Sequence, residues 1–520
     1  MPPSDLEKSG DLEEGHTSTN LVSQELLKHS HDADAALKAL EGQSIVLTPA
    51  ENKRLLRKID LHLMPIMCIV YGLNYLDKTT LSYASIMGLK LPPSSDKLHS
   101  GISINGSQYS WLSSMFYFGY LFWEYPTNRL LQRLPLGKYS AFNIIMWGTV
   151  LACFAAVDNY GGAIAIRLFL GIFEAAVTPG FALFTSQWYT RREQGTRTGI
   201  WFSFNGFAQI FGGVLAYGIA VGCRRTGTLL EPWKIVFLAT GLLTAGVGAV
   251  FLWAVPDSQI NCRWLTKEER ILAIERIRIN GQGVGNKHFK GYQMREALLD
   301  PMCWAFFFYA LIASIPNGGI SNFFSQLIVG FGYTPEQSLL YGTPGGAVEI
   351  VALILCAWYG DRIGRRILVS MAGLALALLG MILIVALPLS NNSGRLAGYY
   401  FTQASPTPFV ALLSLISSNV AGYTKKTTVA AMYLIGYCTG NIIGPQTFRP
   451  EHAPRYVPAE ITIIVCWAVA LGILAFVHVY YARQNASKAA VRGGAGYVRL
   501  ENQEWLDLTD RENPEFVYTL

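Results

Sequence analysis

Charge is scarce in this chain. Asp, Glu, Lys and Arg make up 15% of its 520 residues, and 51% are hydrophobic. An ordinary soluble protein carries about 25% charged residues. The deficit is uneven. Residues 1–60 and 483–520 are polar, hold no apolar run long enough to span a bilayer, and read as loosely ordered tails. Nucleotide chemistry is missing as well. No G-x-x-x-x-G-K-[ST] loop occurs, and "GQGVG" (281–285) lacks dinucleotide spacing, which excludes a pump carrying its own ATPase domain. There is no HExxH, and the eight His are scattered. No metal or cofactor is therefore expected, nor an enzyme. The eight Cys contain no C-x-x-C pair and read as apolar filler. No signal peptide precedes the first apolar run, which would itself serve for targeting.

What is present is a set of long apolar runs between short charged loops. They fall near 61–88, 107–128, 138–157, 161–188, 196–222, 234–255, 301–329, 337–358, 367–388, 396–421, 427–447 and 459–482. Each reaches the ~20 residues a bilayer needs. The fold class is an all-α membrane protein of twelve transmembrane helices. They form two six-helix bundles, 61–256 and 301–482, joined by a central loop at 257–300 and flanked by the two tails. Within that loop "LTKEERILAIERIRI" (265–279) is patterned as a helix lying outside the bilayer. Lys and Arg set the orientation. One side of the predicted topology carries 28 and the other 8, which places both termini in the cytoplasm. The net charge of +6 is largely this bias and does not point to nucleic acid. Two sequons, at Asn105 and Asn391, fall on predicted outer loops as glycosylation candidates. The expected surroundings are the lipid bilayer, most simply the plasma membrane, around a monomer.

A few charges break the apolar runs. Asp77 and Lys78 stand side by side in span one, and Arg167 and Glu174 lie seven apart in span four. At 1.5 Å per residue, Arg167 falls ~9 Å, Lys78 ~15 Å and Glu174 ~20 Å below the outer surface. Charges at such depth face a cavity, pair with one another, and mark a substrate or proton pathway. The alternative is a structural ion pair locking spans one and four. Glu349 in span eight reads equally as gate or structure. Glu124 beside Tyr125-Pro126 reads as structural. Asn317 follows Pro316 in "IPNGGISNFFSQ", where Pro-Asn-Gly-Gly predicts a break in span seven. Asn205, Asn419 and Asn441 are polar in apolar runs, as interhelical glue or as pore residues. "GNIIGP" (440–445) reads as close helix packing. Two halves around a midplane site suit secondary transport; a channel needs no such duplication.

The motifs resemble a known family. "GDRIGRR" (Gly360, Asp361, Arg362, Ile363, Gly364, Arg365, Arg366) resembles the inner-loop signature of the major facilitator superfamily. "NRLLQRLPLGK" (128–138) is a diluted copy without the Asp, and "RLFLGIFEA" (167–175) matches the span-four pattern R-x-x-x-G-x-x-x-[GA]. "YLDKTTLSYASIMGLK", "WLSSMFYFGYLFWEYPTN", "WYTRREQGTRTGIWFSFNG", "GYTKKTTVAAMYLIGYCTGNIIGPQTF" and "LDLTDRENPEF" resemble the fungal allantoate permease branch of the anion:cation symporters. The resemblance implies proton-coupled symport of a small organic anion, such as allantoate, ureidosuccinate or nicotinate, by alternating access. It implies that Lys78 and Arg167 bind the carboxylate and that Asp77 and Glu174 handle the proton; Asn317, from its place in span seven alone, is a further candidate substrate contact. The signature loop would gate. Lys78 departs from the Arg common in relatives outside this branch, and a Lys lacks the bidentate fork. An exporter or a non-transporting sensor stays open beside uptake.

Overall fold

The computed structural model describes residues 48–278, 290–494 and 508–520. Among these, nine helices are long and apolar enough to cross a membrane. Three more polar helical stretches complete the twelve: Gly106–Arg133, Asn392–Thr402 with Thr407–Asn419, and Tyr423–Ile443. They correspond to predicted spans two, ten and eleven.

Local sequence sets the helix starts. Thr48 and Glu51, Asn105 and Gln108, and Thr190 and Glu193 close reciprocal capping boxes before spans one, two and five. These boxes satisfy backbone N–H groups that the helix cannot. The first cap explains why span one begins at Pro49 and runs to Ile86, well before the predicted start. Its added turns bury Leu55 and Ile59, and Lys58 pairs with Glu269 at 2.6 Å. Glu269 lies on the helix Lys267–Arg278, where the central loop was expected to carry one. A second loop helix, Gly291–Leu299, was not foreseen. Residues 279–289 of that loop and the tail 1–47 lie outside the described residues.

Span four is two helices, Tyr160–Glu174 and Val177–Trp188, jointed just after Glu174. The predicted break in span seven is absent. Pro301–Gly330 runs as one helix through Pro316. The glycines serve packing instead: a Cβ on Gly318 would stand 2.8 Å from the Asn441 carbonyl oxygen, and one on Gly319 2.6 Å from the Phe448 ring. Removal of two side chains lets span eleven approach without unwinding span seven.

Close glycine contacts also fix the helices that carry charge. A Cβ on Gly171 would overlap the Phe116 carbonyl oxygen, and one on Gly119 would overlap that of Leu168. Spans two and four are therefore in backbone contact. Between the halves, span one packs on seven, two on eleven and five on eight. On the side away from the tails the halves are tied together. Ser82 donates to Ser325 at 3.1 Å, Lys90 to Gln326 at 2.6 Å, and Tyr109 to the Asn322 carbonyl at 2.7 Å. Arg224 pairs with Glu336.

The C-terminal tail departs most from expectation. Span twelve continues as helix from Val457 to Arg492, and residues 508–520 are folded against the bundle. Lys425 is almost fully buried, with Glu296, Asp300 and Asp510 at 2.9, 3.1 and 2.7 Å. Arg511 reaches Asp300 at 3.0 Å. Asn419 exchanges two backbone bonds with Thr519, each 2.8 Å, and Asn485 does the same with Tyr518. Burial and the Asp510 carboxylate push the Tyr518 phenol well above its usual range. A polar, acidic-basic sequence read as loose is ordered here because its charges meet buried opposite charges.

Two outcomes follow. Gly171→Val should separate spans two and four, lowering stability by about 1–3 kcal/mol as overpacking does; thermal unfolding in detergent reads this, with protein still reaching the membrane. Lys425→Ala leaves three carboxylates facing one another, at a cost of about 3–5 kcal/mol. Limited proteolysis should then cut within 508–520 in the variant and spare the wild type.

Candidate functional site

Of the four charges expected to gather from spans one and four, Lys78 and Glu174 meet. Lys78 Nζ lies 2.5 Å from Glu174 Oε1. Asn74, one turn before Lys78, completes a triangle: its Nδ2 donates to Glu174 Oε1 at 2.7 Å and its Oδ1 accepts from Lys78 at 2.6 Å. Asn74 was missed from sequence, although its i, i+4 spacing to Lys78 was the available signal. The joint in span four puts Glu174 at a helix C-terminus. A carboxylate there faces the negative end of the helix dipole, so its partners must come from span one.

Arg167 is placed differently. It is 1% exposed. Its Nε donates to the Leu112 carbonyl at 3.2 Å, while Nη1 makes no hydrogen bond. Among the described residues no carboxylate lies within ion-pair distance of it. Its guanidinium sits 5.1 Å from the centre of the Phe116 ring, and Lys78 sits 5.5 Å from the same centre. One ring of span two thus carries both cations on its face, where the ring quadrupole attracts them. The backbone contact of Gly119 and Gly171 is what brings Phe116 so close to span four.

Asp77 does not contact Lys78 as a partner. It is fully buried, both carboxylate oxygens lack hydrogen-bond partners, and it lies beside the Trp147 indole of span three. Adjacent positions on a helix point about 100° apart. That angle separates the two residues which sequence alone set side by side.

The other candidates fall into three places. Asn317 donates to Asn441 Oδ1 at 2.9 Å. This amide pair lies on the seam with span two, where Ser114 donates to the Ile442 carbonyl at 2.7 Å and the Tyr117 ring is 5.9 Å from that of Tyr437. Glu349 of span eight faces Asn205 of span five across the halves, and each keeps one buried oxygen without a partner. Asn419 is remote from both, engaged with Thr519 at the tail side. Glu124, as read from sequence, is held locally by Asn128 at 2.8 Å. Asn105 and Asn391 are exposed helix N-caps on the side away from the tails.

Within the signature loop, Gly364 ends span eight with φ +71°, a left-handed cap that glycine enters without strain. Gly360 lies against Arg366, whose backbone N–H donates to the Leu520 carbonyl at 2.6 Å. Arg362 stacks 5.3 Å from Trp358, and Arg365 is exposed. The side chain of Asp361 lies outside the described residues.

Comparison with known proteins agrees with this architecture. The family model of the Major Facilitator Superfamily matches residues 67–445. An uncharacterized transporter of Schizosaccharomyces pombe is 43% identical over 94% of this chain and 93% of its own. The allantoate permease of Saccharomyces cerevisiae is 38% identical over 94% and 91%, and that yeast's thiamine pathway transporter 32% over 90% and 86%. Among solved structures, a bacterial homolog to the human lysosomal transporter Spinster, inward-facing and occupied, superposes with TM-score 0.56. It covers 84% of this chain and 99% of its own at 16% identity, a likeness of fold. Twelve helices in two bundles, a family model spanning most of them and relatives matched nearly end to end lead to one conclusion: this chain is a multi-pass membrane transporter of the major facilitator superfamily.

Proposed function

We propose that the protein takes up a small organic anion together with a proton, by alternating access, with Lys78 and Arg167 as the anion site. The observation that carries this reading is Arg167: a buried guanidinium with an unused donor and no carboxylate within ion-pair distance among the described residues. A permanent charge in a low-dielectric interior is costly without a counter-charge. A substrate carboxylate would supply one. The allantoate permease relative transports an anion by its name, which supports the same class of cargo.

Glu174 gives the coupling its logic. In the structure it neutralises Lys78. A proton on Glu174 would release the ammonium, and the released ammonium would turn to the anion. Proton and anion would then load together. Asp77, with no partner for either oxygen, is a second place for the proton to rest. Asn317, joined to Asn441, is the polar contact that the second half offers to the far end of the cargo. Asp361 and Arg365 of the signature loop would latch the halves on the cytoplasmic side when the site faces outward. The Lys and Arg bias supports both termini in the cytoplasm of a cell whose plasma membrane holds the protein.

A screen of labelled allantoate, ureidosuccinate and nicotinate in a host lacking their uptake identifies the cargo; no accumulation of any carboxylate would sink the uptake reading. With that cargo, Lys78→Ala and Arg167→Ala should each reduce uptake to background while surface protein is unchanged. Glu174→Gln should lose accumulation driven by a pH gradient yet keep exchange of internal for external substrate, because a loaded carrier can shuttle without releasing a proton. Asp77→Asn is the paired test, and if both acid variants still accumulate substrate uphill, this cluster does not couple the proton. Asp361→Asn should slow transport several-fold with substrate affinity kept; loss of affinity would move Asp361 into the site.

A further inference from the structure

One more cation lies on span two. Lys90, just past the end of span one, places Nζ 4.4 Å from the centre of the Tyr109 ring. Tyr109 and Phe116 are seven residues apart, two turns, so both rings are on one face of span two about 10 Å apart along its axis. Lys90 over Tyr109, then Arg167 and Lys78 over Phe116, form a row running inward from the closed side. Leu112, whose carbonyl accepts from Arg167, sits between the two rings.

Lys90 also has no acid beside it. Its hydrogen bond is to the amide oxygen of Gln326, at 2.6 Å, across the junction of the two halves. Among the described residues no carboxylate is within ion-pair distance. The Gln326 amide nitrogen is itself buried without a partner. Burial alone brings the Lys90 ammonium down to about 8, a sign of a cation held by weak neutral partners. Around it, Tyr109–Asn322 and Ser82–Ser325 close the same seam. When the seam opens, Gln326 departs with the second half and Lys90 stays with the first.

We propose that Lys90 is an entry subsite for the anion: in the outward-open carrier its freed ammonium takes the substrate carboxylate first and passes it along the Tyr109–Phe116 face to Arg167 and Lys78. In the closed carrier the Gln326 amide oxygen occupies the place of that carboxylate. The inference rests on the anion-uptake reading and on its orientation.

The first test needs no substrate. In intact cells expressing the full chain with Gln326→Cys, the introduced thiol is reacted with membrane-impermeant methanethiosulfonates bearing a sulfonate or a quaternary ammonium, with the parent protein as blank. Relative to each reagent's rate with a free thiol in solution, the anionic reagent should be favoured by roughly tenfold, the low end of electrostatic steering. Adding Lys90→Gln should abolish that preference. No reaction of the introduced thiol from outside, or a preference that survives Lys90→Gln, overturns the subsite. The second test uses whichever carboxylate the wild type accumulates. Lys90→Gln should raise KM by about tenfold, Lys90→Arg should restore it, and Gln326→Leu should change the maximal rate with KM kept. Equal effects of Lys90→Gln and Gln326→Leu would mean that Lys90 only closes the gate. A charge preference at the introduced thiol in a carrier that accumulates no carboxylate would leave the subsite standing and remove the cargo assignment instead.

Discussion

A guanidinium kept away from carboxylates inside a membrane-spanning bundle is the constraint on which the centre of this molecule depends. Arg167 is almost wholly buried, bonded to a single carbonyl, and rests on an aromatic face. Such a charge persists only if the surroundings give it partial compensation and no escape to water. Phe116 provides the first. The Gly119–Gly171 contact provides the second, by drawing span two so close to span four that the ring covers the cation. The next charge inward, Lys78, is compensated fully, by Glu174 and Asn74. The two cations therefore differ in their partners. One has a carbonyl and an aromatic ring for company, and the other has a carboxylate and an amide.

On the seam with span two the second half contributes amides, whereas at the junction of spans five and eight it contributes the acid and the first half the amide. Asn317 and Asn441 pair with each other, and Glu349 faces Asn205 across the junction of spans five and eight. Neutral hydrogen bonds across the seam, such as Ser82–Ser325 and Tyr109–Asn322, can break and re-form at about 0.5–1.5 kcal/mol net each.

Much of this was legible in the sequence. Twelve apolar runs and a long charged connection are composition and spacing, which bilayer thickness reads directly. The pairing of spans one and four was legible because charges at similar depth must neutralise one another. The choice of partner was not. Asp77 and Lys78 are neighbours in sequence, and only the helical turn between them sends one to Trp147 and the other to Glu174. Phe116 was hidden because a single Phe among many carries no signal until a glycine contact places it. Span seven was read as broken from Pro-Asn-Gly-Gly, yet the same glycines close a helix–helix contact. The C-terminal segment misled for a related reason: its charges look solvated until Lys425, isolated at the end of an apolar helix, is seen to need them.

That segment bears on how the second half can bend. Asp300 begins span seven, Asn419 ends span ten, Lys425 begins span eleven and Asn485 lies on the extension of span twelve. Residues 510–519 bond to all four. Four helices fastened by one segment cannot slide past one another singly. They form a plate, and any opening on that side must be a swing of the plate as a whole about the seam between the halves.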